Sequence, residues 1–165
     1  MANKSKEEFM KLFSVNLRKV FQSNDLNFDV LQEIRLRAEA PMVFRFRNEL
    51  KFLTKGNTLS KNRKDAVIIP VNEIRETMEY ISNYSMYAYE EEIKRGYLTI
   101  AGGHRIGIAG KMLCENGEVR GMKHISYLCI RLAHEVIGCS DLLLRKLFSN
   151  GEFQDTLILS PPGFG

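Results

Sequence analysis

The chain has 165 residues, of which 44% are hydrophobic and 27% are charged, a composition typical of one soluble globular domain and not of a disordered chain. No apolar run is long enough to cross a bilayer, and the N-terminal segment lacks the apolar core of a signal peptide, so neither a membrane span nor secretion is expected. The formal net charge of +4 permits an anionic partner without requiring one.

The first predicted element is a helix. Ser5 and Glu8 have the spacing of a capping box, in which each side chain satisfies a free backbone N–H group. The apolar residues that follow recur at helical spacing, which predicts one amphipathic helix ending near residues 23–25. These apolar residues are Phe9, Phe13, Leu17, Val20 and Phe21.

Residues 33–53 change to an alternating pattern, which predicts two or three short strands. Apolar side chains alternate there with arginines, including Arg35 and Arg37. One face of this sheet is therefore predicted to be buried and the other to be lined with arginine. Asn48-Glu49 is the predicted tip of a hairpin between two of the strands.

The middle of the chain predicts a loop and two further helices. Residues 55–64 are polar and basic without periodicity, which indicates a solvated loop. Asn72 is the expected N-cap of one helix. A shorter helix is expected after Ser85 and should end at Gly96, because glycine favours the left-handed conformation of a helix C-terminus.

From Tyr97 onward the chain is again predicted to form strands. Two long runs lie on either side of Asn116-Gly117, the dipeptide most typical of a tight β-hairpin. Gly107 and Gly110 within the first run weaken a strand, so they predict a bulge or a close approach of another backbone segment.

The C-terminal part predicts one more helix and one more strand. Ser140 is the expected cap of the helix, which should end at Asn150-Gly151, and “DTLILS” (155–160) is predicted to be a buried strand. Helices and strands are thus grouped and do not alternate regularly. This order predicts an α+β fold in which helices pack on one side of an antiparallel sheet.

The last nine residues, “LILSPPGFG” (157–165), suggest a phosphate-binding loop. Such a loop follows a strand and has the pattern G-x-x-x-x-G-K-[ST], in which backbone N–H groups, the lysine and the hydroxyl hold phosphate and magnesium. With Gly165 as the second glycine, Ser160 occupies the first position and the lysine would be residue 166. The alternative is a proline-glycine tail after a strand.

Four segments together resemble the stage III sporulation protein AA family. They are “EIRLRAEAP” (33–41), “GGHRIGIAGK” (102–111), “ISYLCIRLAHEVIGCSD” (125–141) and “LILSPPGFG” (157–165). Members of this family are P-loop ATPases of endospore-forming bacteria, similar to type II and type IV secretion motors. The resemblance implies an N-terminal regulatory and assembly domain over residues 1–155, similar to the PAS-like domain of those motors. Residues 156–165 would be the first strand and partial Walker A loop of an ATPase domain continuing beyond Gly165.

The resemblance also implies a nucleotide site between these domains. The phosphate loop would comprise Ser160, Pro161, Pro162, Gly163, Phe164 and Gly165. In secretion motors, arginines of the N-terminal domain reach toward the phosphates, which makes Arg105 and Arg131 the candidates here. A guanidinium suits this role because it pairs bidentately with phosphate and stays charged.

The cofactors implied for the full-length protein are ATP and magnesium. The 165 residues alone lack the loop lysine and hydroxyl residue, so we expect them to show no measurable affinity for ATP and to hydrolyse no ATP. By resemblance, the partners of the full-length protein are further copies of itself in a hexamer and the membrane channel proteins of the sporulation assembly. The protein would lie in the cytoplasm, on the mother-cell side of the channel.

The alternative function is a small nucleic-acid-binding module, although nucleic acid is not the expected partner. It would use the arginine-lined strands together with a cluster of tyrosines for base stacking. These tyrosines are Tyr80, Tyr84, Tyr87 and Tyr89. Arg35 and Arg37 could equally contact a neighbouring subunit.

The histidines and cysteines give no signal of a metal site. His104, His124 and His134 lack the spacing of metal ligands, and the three cysteines form no CxxC pair. We therefore expect no metal centre, and we interpret the cysteines as free thiols of a reducing compartment.

Overall fold

The structure is a computed structural model that describes residues 3–24, 26–47, 49–134 and 137–161, without the side chains of residues 3–5 and 145. The chain divides into two compact units, Met1–His134 and Glu135–Gly165. The domain boundary predicted at residue 155 falls inside the second unit and stays a prediction.

The first unit is built around one antiparallel sheet, as the sequence predicted. Its strands are β1 (Leu31–Arg37), β2 (Ala40–Pro41), β3 (Val43–Phe46), β4 (Glu49–Leu53), β5 (Leu59–Ser60), β6 (Ile68–Ile69), β7 (Tyr97–Thr99), β8 (Arg105–Glu115) and β9 (Glu118–Arg131). Seven of them form the main sheet in the order β5-β4-β3-β1-β9-β8-β7, and β2 pairs separately with β6. Every pairing is antiparallel.

The helices of this unit contribute to a single core with one face of the main sheet. They are α1 (Asn3–Met10), α2 (Val15–Ser23), α3 (Val71–Ile81) and α4 (Glu90–Arg95). Buried side chains of the helix layer include Phe13, Phe21 and Ile74, and those of the sheet include Leu36 and Ile130. The predicted α+β class, with helices on one side of an antiparallel sheet, is confirmed.

The single helix predicted from Ser5 to near residues 23–25 is two helices, so this prediction was wrong. Ser14 is buried between them, and its hydroxyl accepts a hydrogen bond from the Leu17 N–H at 3.3 Å and donates one to Glu73 on α3. The apolar side chains keep helical spacing through the break, so periodicity does not reveal it. The side chain of Ser5, the predicted cap, lies outside the described side chains.

The N-cap predicted for α3 was wrong, whereas the C-terminal cap predicted for α4 is confirmed. The N-cap of α3 is Pro70, whose carbonyl accepts from the Glu73 N–H at 3.1 Å, and not Asn72 as predicted. The helix predicted after Ser85 starts as a 3₁₀ turn before it becomes α4. Gly96 has φ 80°, which confirms the predicted left-handed cap.

The long β8–β9 hairpin confirms the turn predicted at Asn116-Gly117 and the irregularity predicted at Gly110. It does not confirm the one predicted at Gly107, where the register is regular and an added Cβ would lie 3.6 Å from the Cβ of Cys129, an ordinary contact. Its turn has Asn116 at φ 53° and Gly117 at φ 80°, the positive angles that this type of tight turn requires. The register shifts at Gly110. A Cβ at Gly110 would lie 2.9 Å from the Cα of Ile125, so only glycine fits this close approach of the two strands.

The second unit contains α5 (Asp141–Leu147), β10 (Phe148–Ser149) and β11 (Glu152–Phe153). Ser140 is the N-cap of α5, as predicted, although its side chain makes no capping hydrogen bond. Asn150-Gly151 forms the turn between β10 and β11 and does not end the helix, which corrects that prediction.

The strand predicted over residues 155–160 is absent from the described part of the chain. Leu157, Ile158 and Leu159 are exposed there and are not part of a β-strand. A strand forms only where neighbouring strands pair its backbone N–H and C=O groups. Among the described residues no strand pairs with this segment.

Candidate functional site

The candidate site is the face of the main sheet that points away from the helices, which we call the outer face. On β1, Ile34 and Leu36 are fully buried in the core. Side chains alternate between the two faces of a strand, so Glu33, Arg35 and Arg37 project from the outer face. This arrangement confirms the prediction of one buried face and one face lined with arginine.

Charged residues form one row across the middle of the outer face. Glu33 on β1 lies directly opposite Arg45 on β3 and, on its other side, directly opposite Arg131 on β9. Arg131 in turn lies opposite Arg105 on β8. Neighbouring strands are about 4.8 Å apart, so side chains that face each other across strands interact directly. Two cations in this position repel each other. The adjacent Arg131 and Arg105 therefore form a local site that an anion would stabilise.

Glu33 organises the arginines around it. Its side chain is only 6% exposed; Arg35 donates a hydrogen bond to one carboxylate oxygen, and the Nε of Arg131 donates to the other at 3.2 Å. Burial by itself would raise the pKa of Glu33, but the hydrogen bond and charge of Arg35, with the charge of Arg131, outweigh it and lower the pKa. Glu33 is therefore ionised at neutral pH and holds both arginines in place.

Both arginines predicted as phosphate contacts remain accessible. The side chain of Arg131 is 69% exposed although its Nε binds Glu33. Arg105 is exposed and makes no ion pair within the described part of the chain. The two lie in one cavity of about 660 Å³. Its lining is Tyr97, Thr99, Arg105, Gly107, Tyr127, Cys129 and Arg131.

The cavity contains a thiol and a phenol, neither of which is a nucleophile at neutral pH. Burial raises the pKa of the Cys129 thiol, and burial also raises the pKa of the Tyr127 phenol. Both groups therefore stay protonated. The cavity can bind an anion through its guanidinium groups, but its residues give no sign of covalent chemistry.

Sequence reasoning missed Glu33 and Arg45 as parts of this site. The spacing of Glu33, Arg35 and Arg37 at every second residue placed all three on one face. It did not indicate that Arg131, which lies 98 positions away, completes the ion pair. That contact depends on β1 and β9 being neighbours in the sheet.

The predicted phosphate loop is described only at its start. Ser160 and Pro161 are exposed and lie outside helices and strands. Pro162, Gly163, Phe164 and Gly165 lie outside the described residues. The loop therefore stays a prediction.

The tyrosines of the nucleic-acid alternative lie in the helix layer. Tyr80 on α3 packs edge-to-face on Tyr84 with ring centroids 5.5 Å apart, and the Arg18 guanidinium lies 4.2 Å from the Tyr80 centroid. The helix layer packs on the face of the sheet opposite to the arginines. The two features of that alternative thus do not form one surface.

Two of the histidines serve as structural hydrogen-bonding groups. His104 is buried, its Nδ1 accepts from the Ala133 N–H at 3.0 Å, and burial lowers its pKa. His134 Nε2 lies 2.7 Å from the carbonyl of Leu31. Over the described residues, no group of three or more histidine, cysteine, aspartate or glutamate side chains is placed to hold a metal ion.

None of the helices in the described part of the chain has the length and apolar character that a membrane span requires.

Comparison with known proteins identifies the family. The profile of the family described as “Sporulation stage III, protein AA” matches residues 3–165. The stage III sporulation protein AA of Bacillus subtilis (strain 168) is 38% identical over 135 residues, and the match covers 82% of this chain and 40% of that relative. The chain therefore spans about 40% of the relative's length.

A search of solved structures found the VirB11 ATPase from the Brucella suis type IV secretion system in complex with sulphate. It is 12% identical, the match covers 94% of this chain and 40% of that chain, and the TM-score is 0.38. A likeness at this level carries no functional argument. The profile match over almost the entire sequence, by contrast, shows that the chain belongs to the sporulation stage III protein AA family.

Proposed function

We propose that this chain is the N-terminal part of a P-loop ATPase of sporulation, and that its outer face contacts the phosphates of ATP. The observation that carries the proposal is the pair Arg105 and Arg131, which are direct cross-strand partners in one cavity and both exposed. Arg35 and Arg131 both bind the carboxylate of Glu33, whereas Arg105 and Arg45 make no ion pair in the described part of the chain. The site therefore carries more positive charge than its single carboxylate neutralises.

The ion pair with Glu33 prepares Arg131 for an anionic ligand. A guanidinium has five N–H donors. Glu33 takes a hydrogen bond from Nε of Arg131, which leaves the two terminal amino groups available as a fork for phosphate oxygens. Because Glu33 is almost fully buried, it restricts the position of this arginine before the ligand arrives. Less conformational entropy is then lost on binding.

The terminal segment supports the same function. Residues 157–165 have the order of an apolar run, a serine, two prolines and two glycines, which is compatible with the start of a phosphate-binding loop. In our proposal the loop from Ser160 to Gly165 cradles the phosphates and magnesium binds with ATP. Arg105 and Arg131 stabilise the charge that develops during phosphoryl transfer, as an arginine finger does.

The cellular role follows from the family and is also a proposal. We assign the full-length protein to a homo-hexamer on the cytoplasmic, mother-cell side of the membrane. There its ATP hydrolysis would power the channel between mother cell and forespore through contacts with the membrane channel proteins of that assembly.

The test is the ATPase activity of the longer protein that continues past residue 165. Arg131→Ala and Arg105→Ala should each lower kcat by about 100-fold or more, as removal of a charge-stabilising donor does. Arg131→Lys should restore little activity, because an ammonium group cannot form the bidentate fork. The matched control is Arg120→Ala, since Arg120 is an exposed arginine of the β8–β9 hairpin that pairs with Glu115 and Glu118.

The proposal has two clear points of failure. Wild-type turnover in folded Arg131→Ala and Arg105→Ala proteins would exclude the outer face from the reaction. Absence of magnesium-dependent ATP hydrolysis in the longer wild-type protein would exclude the ATPase function itself. The 165-residue chain alone is expected to hydrolyse no ATP.

A further inference from the structure

A second cavity opens on the outer face, next to the one that contains Arg105 and Arg131. It has a volume of about 490 Å³, and its lining includes Arg35, Arg37 and Arg63. Neither Arg105 nor Arg131 lines it; Tyr127 lies between the two cavities and contributes to both. We call it the Arg37 cavity.

The Arg37 cavity concentrates positive charge. Arg35 and Arg37 project side by side from β1, about 7 Å apart along the strand, and Arg63 approaches from the loop between β5 and β6. Of the described residues that line the cavity, none is acidic. Arg35 is paired with Glu33, whereas Arg37 and Arg63 have no carboxylate within ion-pair distance in the described part of the chain.

The floor of the same cavity is apolar and partly aromatic. Val43 and Phe52 face each other across β3 and β4, and both are half-buried. Tyr127 faces Arg37 across β9 and β1. Since burial raises the pKa of its phenol, Tyr127 stays protonated and can donate a hydrogen bond to an anion.

These features select one class of ligand. Guanidinium groups without acidic neighbours suit phosphate, which accepts their paired N–H donors. The valine and phenylalanine floor suits a flat, apolar ring, and the volume lies in the range of small-molecule sites. We infer that the Arg37 cavity binds a small phosphorylated ligand, a phosphate monoester or diphosphate joined to a ring system, at a site separate from the one that contacts ATP in our proposal.

The test uses the 165-residue chain and three probes: ADP, inorganic pyrophosphate and adenosine. They present a diphosphate with a ring, the diphosphate alone and the ring alone. Isothermal titration at low salt and without magnesium should give a Kd below about 1 mM for ADP. This weak binding uses the Arg37 cavity and not the phosphate loop, where no ATP binding is expected without the lysine and the hydroxyl residue. Pyrophosphate should bind more weakly and adenosine more weakly still. Because the phosphate contacts are ionic, the affinity for ADP should fall as salt is added.

Variants locate the site. Arg37→Ala and Arg63→Ala should each raise the Kd for ADP about tenfold, the loss expected for one charge-assisted contact. Phe52→Ala should weaken ADP and leave pyrophosphate unchanged. Arg120→Ala, the matched control on the β8–β9 hairpin, removes an exposed arginine that lines neither cavity and should leave both affinities unchanged. Because Arg37 and Arg63 are exposed, these variants should also keep the wild-type Tm.

Two results would overturn the inference. One is no binding of ADP or pyrophosphate to the folded chain at millimolar concentration. The other is binding that Arg105→Ala abolishes and Arg37→Ala does not, which would place the ligand in the neighbouring cavity. Neither result depends on ATP hydrolysis by the longer protein, so this inference and the proposed function fail independently.

Discussion

Replacing Glu33 with glutamine removes the carboxylate that Arg35 and Arg131 share and keeps the size of the side chain. Hydrogen bonds to charged groups contribute about 1.5–3 kcal/mol each when both partners are buried. Here the side chains of Arg35 and Arg131 are 36% and 69% exposed, and solvent screening reduces each contribution to about 1 kcal/mol. Glu33→Gln should therefore lower the free energy of unfolding by about 2 kcal/mol, which corresponds to a fall in Tm of about 6 °C for a chain of this length.

The effect should depend on pH in a defined direction. The pKa of Glu33 in the folded chain lies below its ordinary value of 4.5. The stability that its charge contributes is therefore fully present above the unfolded pKa and is lost as pH falls through the folded pKa. The difference in Tm between wild type and Glu33→Gln should be largest near neutral pH and should close at pH values well below 4.5.

Thermal unfolding followed by circular dichroism between neutral pH and pH 3 measures this difference. The matched control is Glu118→Gln, which removes an exposed carboxylate bound to Arg120 at the hairpin tip and should change Tm little. An unchanged Tm at neutral pH, or a difference that persists undiminished at pH 3, would refute the assignment of Glu33 as the ionised centre of the outer face.

Two further predictions test the fold that holds this face in place. Gly110→Ala should cost about 1–3 kcal/mol because its Cβ would collide with the backbone of β9, whereas Gly121→Ala, with no atom within 4 Å of the added Cβ, should be near neutral in chemical denaturation. Phe13→Ala should cost about 3–5 kcal/mol, because this fully buried ring packs edge-to-face on two neighbouring phenylalanines. The control Phe153→Ala truncates an exposed ring and should change stability little. Equal losses of unfolding free energy in Phe13→Ala and Phe153→Ala would contradict the described core.

The sequence correctly predicts those elements whose structure is determined by a few adjacent residues. The alternation over residues 33–53 gave the strands and the arginine-lined face because a period of two fixes which side chains share a face. Asn116-Gly117 and Gly96 require positive φ angles, and they are found where those angles were expected. In each case a few adjacent residues determine the local structure.

The errors arose where tertiary contacts decide the local structure. The break between α1 and α2 depends on Ser14, whose hydroxyl bonds to Glu73 on a helix 59 positions away. Asn150-Gly151 was interpreted as the end of a helix, but the same pair of residue types also forms a two-residue hairpin turn. The segment 157–159 has the composition of a buried strand, but composition does not supply the neighbouring strands that a ladder needs.

The candidate site was predicted in part. The family resemblance makes Arg105 and Arg131 the two candidates without indicating their distance from each other, and the structure makes them direct cross-strand partners. The buried carboxylate between the arginines was missed. An acidic residue among arginines is usually solvated, and its burial here depends on the order of strands in the sheet.

The most direct test of the account is a double-mutant cycle in the longer protein that we propose to be an ATPase. kcat/KM would be measured for Arg105→Ala, for Arg131→Ala and for the double variant. Two arginines that stabilise the same phosphates are energetically coupled, so the loss in the double variant should be smaller than the product of the two single losses. Single variants with wild-type kcat/KM, or losses that multiply without coupling, would contradict the claim that this pair acts together on the nucleotide.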